Sequence, residues 1–194
     1  MNPPCFIIAL KDNAHSLEML DECNASAKRN GWRVETFWGV NGTTITEQTW
    51  LDVGITPRLE KPTMGKLGVQ GCFLSHYYLW QRCVELNRSI IILEHDAVIN
   101  APWQDPNNDQ CLIKLHRAHR TKANTYDEDS GNWTKSGHAY YLNPVQANTL
   151  ILWAKTNGAL PTDILIGDKV LDFKHLEYEL VSRNERRLST TQTI

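Results

Sequence analysis

Ser89-Ile90-Ile91-Ile92-Leu93-Glu94-His95-Asp96-Ala97-Val98 is the stretch whose reading decides the fold. Four consecutive aliphatic residues, three of them β-branched, run straight into an acid, an imidazole and a second acid. A short unbroken apolar run of this kind reads as a strand buried on both faces. Acids are costly in such a run, so the strand should leave the core at Glu94. In open α/β sheets, ligands bind in the crevice at the carboxyl ends of the strands. Two carboxylates delivered there can hold a divalent cation, and the cation can hold a phosphate. The plainer alternative is a buried strand that ends in a polar turn.

Upstream, Cys5-Phe6-Ile7-Ile8-Ala9-Leu10 is a second strand of the same doubly buried kind. Asn13 is placed to cap a helix. Leu17, Leu20, Cys23 and Ala27 then repeat at helical spacing until Asn30-Gly31 stops it. Trp32 to Trp38 alternates as a strand and is closed by Gly39 and Gly42. Strand, helix, strand in this rhythm implies a parallel pair with a helical crossover. Thr43 to Leu67 is less regular: Thr46 can open a short helix through Leu51, and Pro57, Pro62 and Gly65 then break the pattern. It is a surface excursion, either a plain connector or a lid over the site. Gly68 to Asn87 is the strongest helix, with Cys72, Phe73, His76, Leu79, Trp80, Cys83 and Val84 on one apolar face. Ser75 and His76 interrupt that face. His76 is either a satisfied core histidine or a ligand.

Downstream, Cys111 to Leu115 is a short strand, followed by His116-Arg117-Ala118-His119. The two histidines have a zinc-compatible spacing, but no third and fourth ligand follows, which favours a solvated turn. A metal hydrolase built on His76, His95, His116 or His119 lacks spacing support for the same reason. Thr121 to Lys135, with Asp127-Glu128-Asp129, reads as a surface loop. Gly137 to Asn143 is a strand, and Pro144 occupies the first turn of a helix that runs to Asn157-Gly158. Pro161-Thr162-Asp163-Ile164-Leu165-Ile166-Gly167-Asp168 sets two acids around an aliphatic segment. Leu176 to Val181 alternates as a last strand. Residues 182–194 form a polar tail whose Arg183, Arg186 and Arg187 read as solvated.

The 194 residues suffice for one domain, residues 1–181, plus that tail. Hydrophobic residues make up 41% and charged residues 22%, an ordinary globular balance. A net charge of −2 gives non-specific nucleic-acid binding no support. Seven Trp suit walls against sugars or bases as well as a core. Five Cys, an odd number without a CxxC, point to reduced thiols. No signal peptide or membrane span is recognisable, so the expectation is a cytoplasmic protein.

Four blocks in order resemble glycosyltransferase family 25, the family of bacterial lipooligosaccharide galactosyltransferases and collagen galactosyltransferase domains. They are Leu67-Gly68-Val69-Gln70-Gly71-Cys72-Phe73-Leu74-Ser75-His76, then Ile91 to Asp96, then Gly137-His138-Ala139-Tyr140-Tyr141-Leu142-Asn143-Pro144, then Pro161-Thr162-Asp163. Phe37-Trp38-Gly39-Val40-Asn41-Gly42 is similar to an early segment of the same family. The resemblance implies a GT-A type α/β fold, a Rossmann-like, mostly parallel sheet flanked by helices. It implies a UDP-sugar donor, galactose above all, and inverting transfer to a glycan or lipooligosaccharide-type acceptor. Mn²⁺ or Mg²⁺ on Asp96 and Glu94, with His95 a further candidate ligand, would neutralise the diphosphate leaving group. Asp163 is the candidate base for the acceptor hydroxyl, with Asp168 behind it. Ser75, His76, Glu94, His95 and His138 are the candidate donor-binding residues. At most a peripheral membrane contact is expected, through the arginines of the tail, if the acceptor is lipid-linked.

The acidic motif departs from the family's usual Glu-Asp-Asp, because His95 stands in its middle. A continuing pleat would point Glu94 and Asp96 one way and His95 the other. A turn after Leu93 would free His95 to act as a ligand or would weaken the site. A degenerate member that binds a nucleotide sugar or glycan without turnover is the alternative function.

Overall fold

A computed structural model of the chain describes residues 2–61, 63–106, 110–117, 137–167 and 170–184. The strands are β1 (Cys5–Ala9), β2 (Glu35–Trp38), β3 (Ile90–Glu94), β4 (Ala97–Ile99), β5 (Leu112–Arg117), β6 (Ala139–Leu142), β7 (Phe173–Leu176) and β8 (Val181–Arg183). The helices are α1 (Ala14–Arg29), α2 (Glu47–Val53), α3 (Leu67–Leu86), α4 (Pro144–Asn157) and α5 (Thr162–Leu165).

The central sheet has six strands in the order β2-β1-β3-β6-β5-β7, and β4 pairs with β8 in a separate two-stranded ribbon. β2, β1 and β3 run parallel, as do β5 and β7, while β6 is antiparallel to both its neighbours. The β1-α1-β2 crossover expected from the opening residues is therefore present. So is the doubly buried β3. Ile90 and Ile92 belong to one apolar layer with Phe73, Tyr77 and Trp80 of α3 and Leu150 of α4. Ile91 and Leu93 belong to the opposite layer with Leu20 and Cys23 of α1 and Ile99 of β4. Four apolar residues in a row are satisfied because each face of the sheet has its own cover.

Local chemistry fixes the ends of the helices. Asn13 accepts the Ser16 N–H at 2.8 Å and starts α1. Asn143 and Gln146 cap one another's backbone at the start of α4, with Pro144 in its first turn. α3 ends at Asn87, in the left-handed conformation at φ 47°. All five cysteines are free. No helix among the described residues is long and apolar enough to cross a membrane.

Four expectations change. β2 starts at Glu35, because Trp32 turns into the core and its indole N–H donates to Ala101 O at 2.9 Å. His116 lies on β5 and is buried, so no solvated turn follows Leu115. The single strand expected over 176–181 is two, β7 in the main sheet and β8 in the ribbon. Arg183 belongs to β8 rather than to a solvated tail. The excursion over 43–67 is anchored, with Trp50, Ile55 and Met64 in the core and Pro57 bridged to Ala159. Pro62, His119, the 121–135 acidic loop, Asp168, Arg186 and Arg187 lie outside the described residues.

Two glycines let α3 come against the loop after β2. A Cβ on Gly42 would sit 2.1 Å from Leu67 O, and one on Gly71 would sit 2.5 Å from Val40 O. Both obstacles are backbone and cannot swing aside. Gly71→Ala is expected to cost about 1–3 kcal/mol through overpacking. Its thermal midpoint, followed by circular dichroism, should fall by roughly 2–4 °C per kcal/mol.

Candidate active site

Hydrogen bonding explains where β3 stops. Glu94 is still in register with Ile8 of β1, and its N–H donates to His138 O at 2.7 Å. His95 and Asp96 then form a turn, and β4 leaves in another sheet. The pleat does not carry through the acidic motif. Glu94 therefore points into the layer under α3. His95 lines a crevice with Leu10, Val40, Gly42 and Gly68. Asp96 is nearly buried against β8.

α3 precedes β3 directly and runs back along the sheet, so its first turns lie over the carboxyl end of the strand. This brings Cys72, Ser75 and His76 into the same crevice as Glu94. Ser75 Oγ accepts the Val40 N–H at 2.8 Å and donates to Gly71 O at 2.7 Å. Its hydroxyl ties the loop after β2 to α3.

His76 is fully buried and belongs to a hydrogen-bonded chain. Trp80 Nε1–H donates to Tyr140 Oη at 2.9 Å, and Tyr140 Oη lies 2.7 Å from His76 Nδ1. An indole is only a donor, so Tyr140 Oη accepts from it, while the bond between Tyr140 Oη and His76 Nδ1 runs in the direction that the imidazole tautomer sets. His76 Nε2 faces Glu94 Oε1 at 3.6 Å, beyond hydrogen-bond distance. His76 is a buried histidine bonded at Nδ1 only, with Nε2 beside the strand-end acid.

Arg183, on β8, reaches the other side of that acid. Its Nη2 lies 3.3 Å from Glu94 Oε2 and its Nε 3.7 Å from Asp96 Oδ2. The backbone holds it there: Arg183 is in register with Ala97, and Asn184 N–H donates to Asp96 O at 2.8 Å. Burial works to raise the Glu94 pKa, but His76 beside it and the Arg183 charge hold it well below the usual carboxylate range. A depressed carboxylate contributes stability that is complete above its ordinary pKa of 4.5 and is lost as the pH falls through the folded value. Glu94→Gln is accordingly expected to flatten the acid limb of a stability-against-pH curve measured by urea unfolding.

The fourth wall comes from α5 and β5. Gly137 N–H donates to Asp163 Oδ1 at 2.6 Å. Burial and the Glu94 charge raise the Asp163 pKa, against Lys114, Arg183 and that N–H, which lower it. Lys114 is fully buried, its ammonium 5.0 Å from the centre of the Phe173 ring. Burial brings its pKa down to about 8, although Asp163 favours its charge. His138 is buried beside His116, ring centres 4.6 Å apart, and His116 lies 4.9 Å from His175.

Ligand atoms of Cys72, His76 and Glu94 lie within 4.8 Å of one another, a group that could hold a metal ion. This sulfur, nitrogen and oxygen set is softer than Mn²⁺ or Mg²⁺ prefers. Burial, with Glu94 and Asp163 adding to it, pushes the Cys72 thiol well up, which keeps its proton on. The oxygens that suit a hard cation belong to Glu94 and Asp96, and Arg183 stands between them. A divalent ion fits this pair only after Arg183 is displaced.

Of the candidates named from the sequence, Glu94, His95, Ser75 and His76 line one crevice, Asp163 is near enough for its charge to interact with that of Glu94, and Asp96 is buried against β8. Sequence reasoning missed Arg183, Lys114 and Tyr140. The alternation of Leu180-Val181-Ser182-Arg183 was the available signal for the first. A lysine inside the apolar run Cys111 to Leu115 was the signal for the second.

The model of glycosyltransferase family 25 (LPS biosynthesis protein) matches residues 2–166. A glycosyltransferase 25 family member of Aedes aegypti is 36% identical over 81 residues, covering 38% of this chain and 13% of that protein. One of Anopheles gambiae is 39% identical over 75 residues, covering 34% of this chain and 12% of that protein. The matches thus span about an eighth of the length of these relatives. The galactosyltransferase LgtC, solved in complex with donor and acceptor sugar analogs, superposes with a TM-score of 0.51 at 11% identity, covering 88% of this chain and 72% of that one. The architecture is the GT-A fold: a mixed, mostly parallel central sheet with flanking helices.

Proposed function

The chain belongs to glycosyltransferase family 25, and from that premise we propose that it transfers a sugar, galactose above all, from a UDP-sugar to a glycan or lipooligosaccharide-type acceptor with inversion. The observation that carries this reading is the convergence of Glu94, Asp163 and Arg183 at the carboxyl end of β3. Burial and neighbouring charge couple these groups into one electrostatic unit.

The donor diphosphate lies at the acid turn, with His95 and the loop at Val40 to Gly42 lining its crevice. Ser75 and Gly71 hold that loop in place. Asp163 is the base. Its Oδ1 is fixed by Gly137 N–H, which leaves Oδ2 to receive a proton. The raised pKa makes it a stronger base than an exposed aspartate, while the charges of Lys114 and Arg183 favour its ionised form. The acceptor oxygen forms its bond to the anomeric carbon on the face opposite the diphosphate. As it does, the bond from that carbon to the diphosphate oxygen breaks, and the electron pair leaves with the nucleoside diphosphate. The acceptor proton ends on Asp163. The Mn²⁺ or Mg²⁺ that the resemblance implies would supply charge to that leaving group, but the oxygens of Glu94 and Asp96 that would hold it already face Arg183.

The test is a screen of UDP-sugars against a panel of glycan acceptors, read by UDP release and product mass. Acceptor-dependent release that Asp163→Asn removes supports the reading. Donor binding without transfer to any acceptor would make the chain a binding protein of the same fold.

A further inference from the structure

We propose that Arg183 is the fixed cation of the donor site, so that the diphosphate is bound without a divalent metal ion. The inference rests on the nucleotide-sugar reading above and assigns the charge that this reading requires. Arg183 lies beyond residues 2–166, the part that matches the family model, so the match itself says nothing of it.

Three observations carry it. Arg183 occupies the position between Glu94 and Asp96 that a cation would take, at 3.3 Å and 3.7 Å. The position is built: β8 is in register with β4 directly after the acid turn, Val181 is fully buried, and the backbone of Asn184 bonds to Asp96. The guanidinium also has capacity left. It carries five N–H donors in a planar fork, and only its Nη2 and Nε face the acids, so Nη1 remains for a ligand. The side chain is 29% exposed, enough for a diphosphate to reach it. An arginine fork matches two phosphate oxygens at once, which an ammonium does not. Glu94 and Asp96 then act as positioning residues that aim the fork. A 2+ ion on the same carboxylates would lie a few ångströms from the guanidinium and be repelled by it.

The test is isothermal calorimetry with UDP, GDP, ADP and CDP on the whole chain, in EDTA and then in Mn²⁺. The expected result is binding of a nucleoside diphosphate in EDTA, with Mn²⁺ changing the affinity little. Arg183→Met should weaken it by about 10–150-fold, the loss of charge-assisted hydrogen bonds. Arg183→Lys keeps the charge and guards against misfolding; it should retain the fold by circular dichroism yet bind more weakly than wild type. Asp96→Asn keeps the Glu94 contact of the fork and should weaken nucleotide binding only modestly, whereas a metal site would lose it. Binding that requires Mn²⁺ and disappears in Asp96→Asn overturns the role of Arg183 and leaves the glycosyltransferase reading standing. No binding of any of the four nucleotides, with or without Mn²⁺, overturns both.

Discussion

Asp163→Asn is expected to lower kcat by about 10²–10⁴-fold, the usual contribution of a positioned general base. The donor dissociation constant should move little, because the base we propose at Asp163 would act on the acceptor hydroxyl. Asparagine keeps the shape of the side chain, and its amide oxygen can still accept the Gly137 N–H that meets Asp163 Oδ1 at 2.6 Å. It cannot take a proton. The pH profile adds a second readout. Burial and Glu94 set the Asp163 pKa above its ordinary 3.8. Activity needs the ionised form, so kcat should fall on the acid side at a higher pH than a free aspartate would give. Steady-state kinetics of the pure variant from pH 4 to pH 8 checks both. An Asn variant with kcat within about threefold of wild type would remove Asp163 from the chemistry.

Tyr140→Phe is expected to be the most damaging single change to stability. Two buried groups rely on that hydroxyl, the Trp80 indole N–H and His76 Nδ1. Phenylalanine leaves both without it, at about 1–3 kcal/mol each. The melting temperature of a chain this size should drop by on the order of 10 °C. The same change removes the hydroxyl that bonds His76 Nδ1 and so holds the ring with Nε2 3.6 Å from Glu94. Donor affinity should weaken along with stability. A double-mutant cycle with Trp80→Phe separates the two orphaned groups, since the coupling between Tyr140 and Trp80 appears as non-additivity. Equal melting temperatures for wild type and Tyr140→Phe would show that the chain of bonds holds nothing.

What the residues announced in advance was set by local pattern. Ile90 to Leu93 could be read as doubly buried because no polar residue interrupts them, and the layers on both faces of β3 agree. Asn13, Asn143 and Asn87 punctuate helices by short-range chemistry, and each does so here. The site was legible as far as its acids, because a carboxylate at the end of an apolar run has to leave the core. Arg183 was not. Its partners are 87 and 89 positions away, and a three-residue strand has too little pattern to separate it from a polar tail. The spacing of Leu176 to Val181 fused β7 and β8 for the same reason: alternation reports that residues are extended, not which sheet they join. The direction of the chain after Glu94, which decides what His95 faces, depends on the β4-β8 pairing and so was hidden as well.

The ribbon of β4 and β8 also sets an order of assembly. Synthesis delivers Glu94 89 residues before Arg183. At about 5–20 residues per second the interval is several seconds. Throughout it, a nascent chain has the strands to pair β1, β2 and β3 but holds two carboxylates at the sheet's end with no arginine to answer them. The scaffold can therefore form while the site remains electrostatically incomplete. A chain released before Val181 would carry the fold's centre with the proposed donor crevice still lacking its arginine.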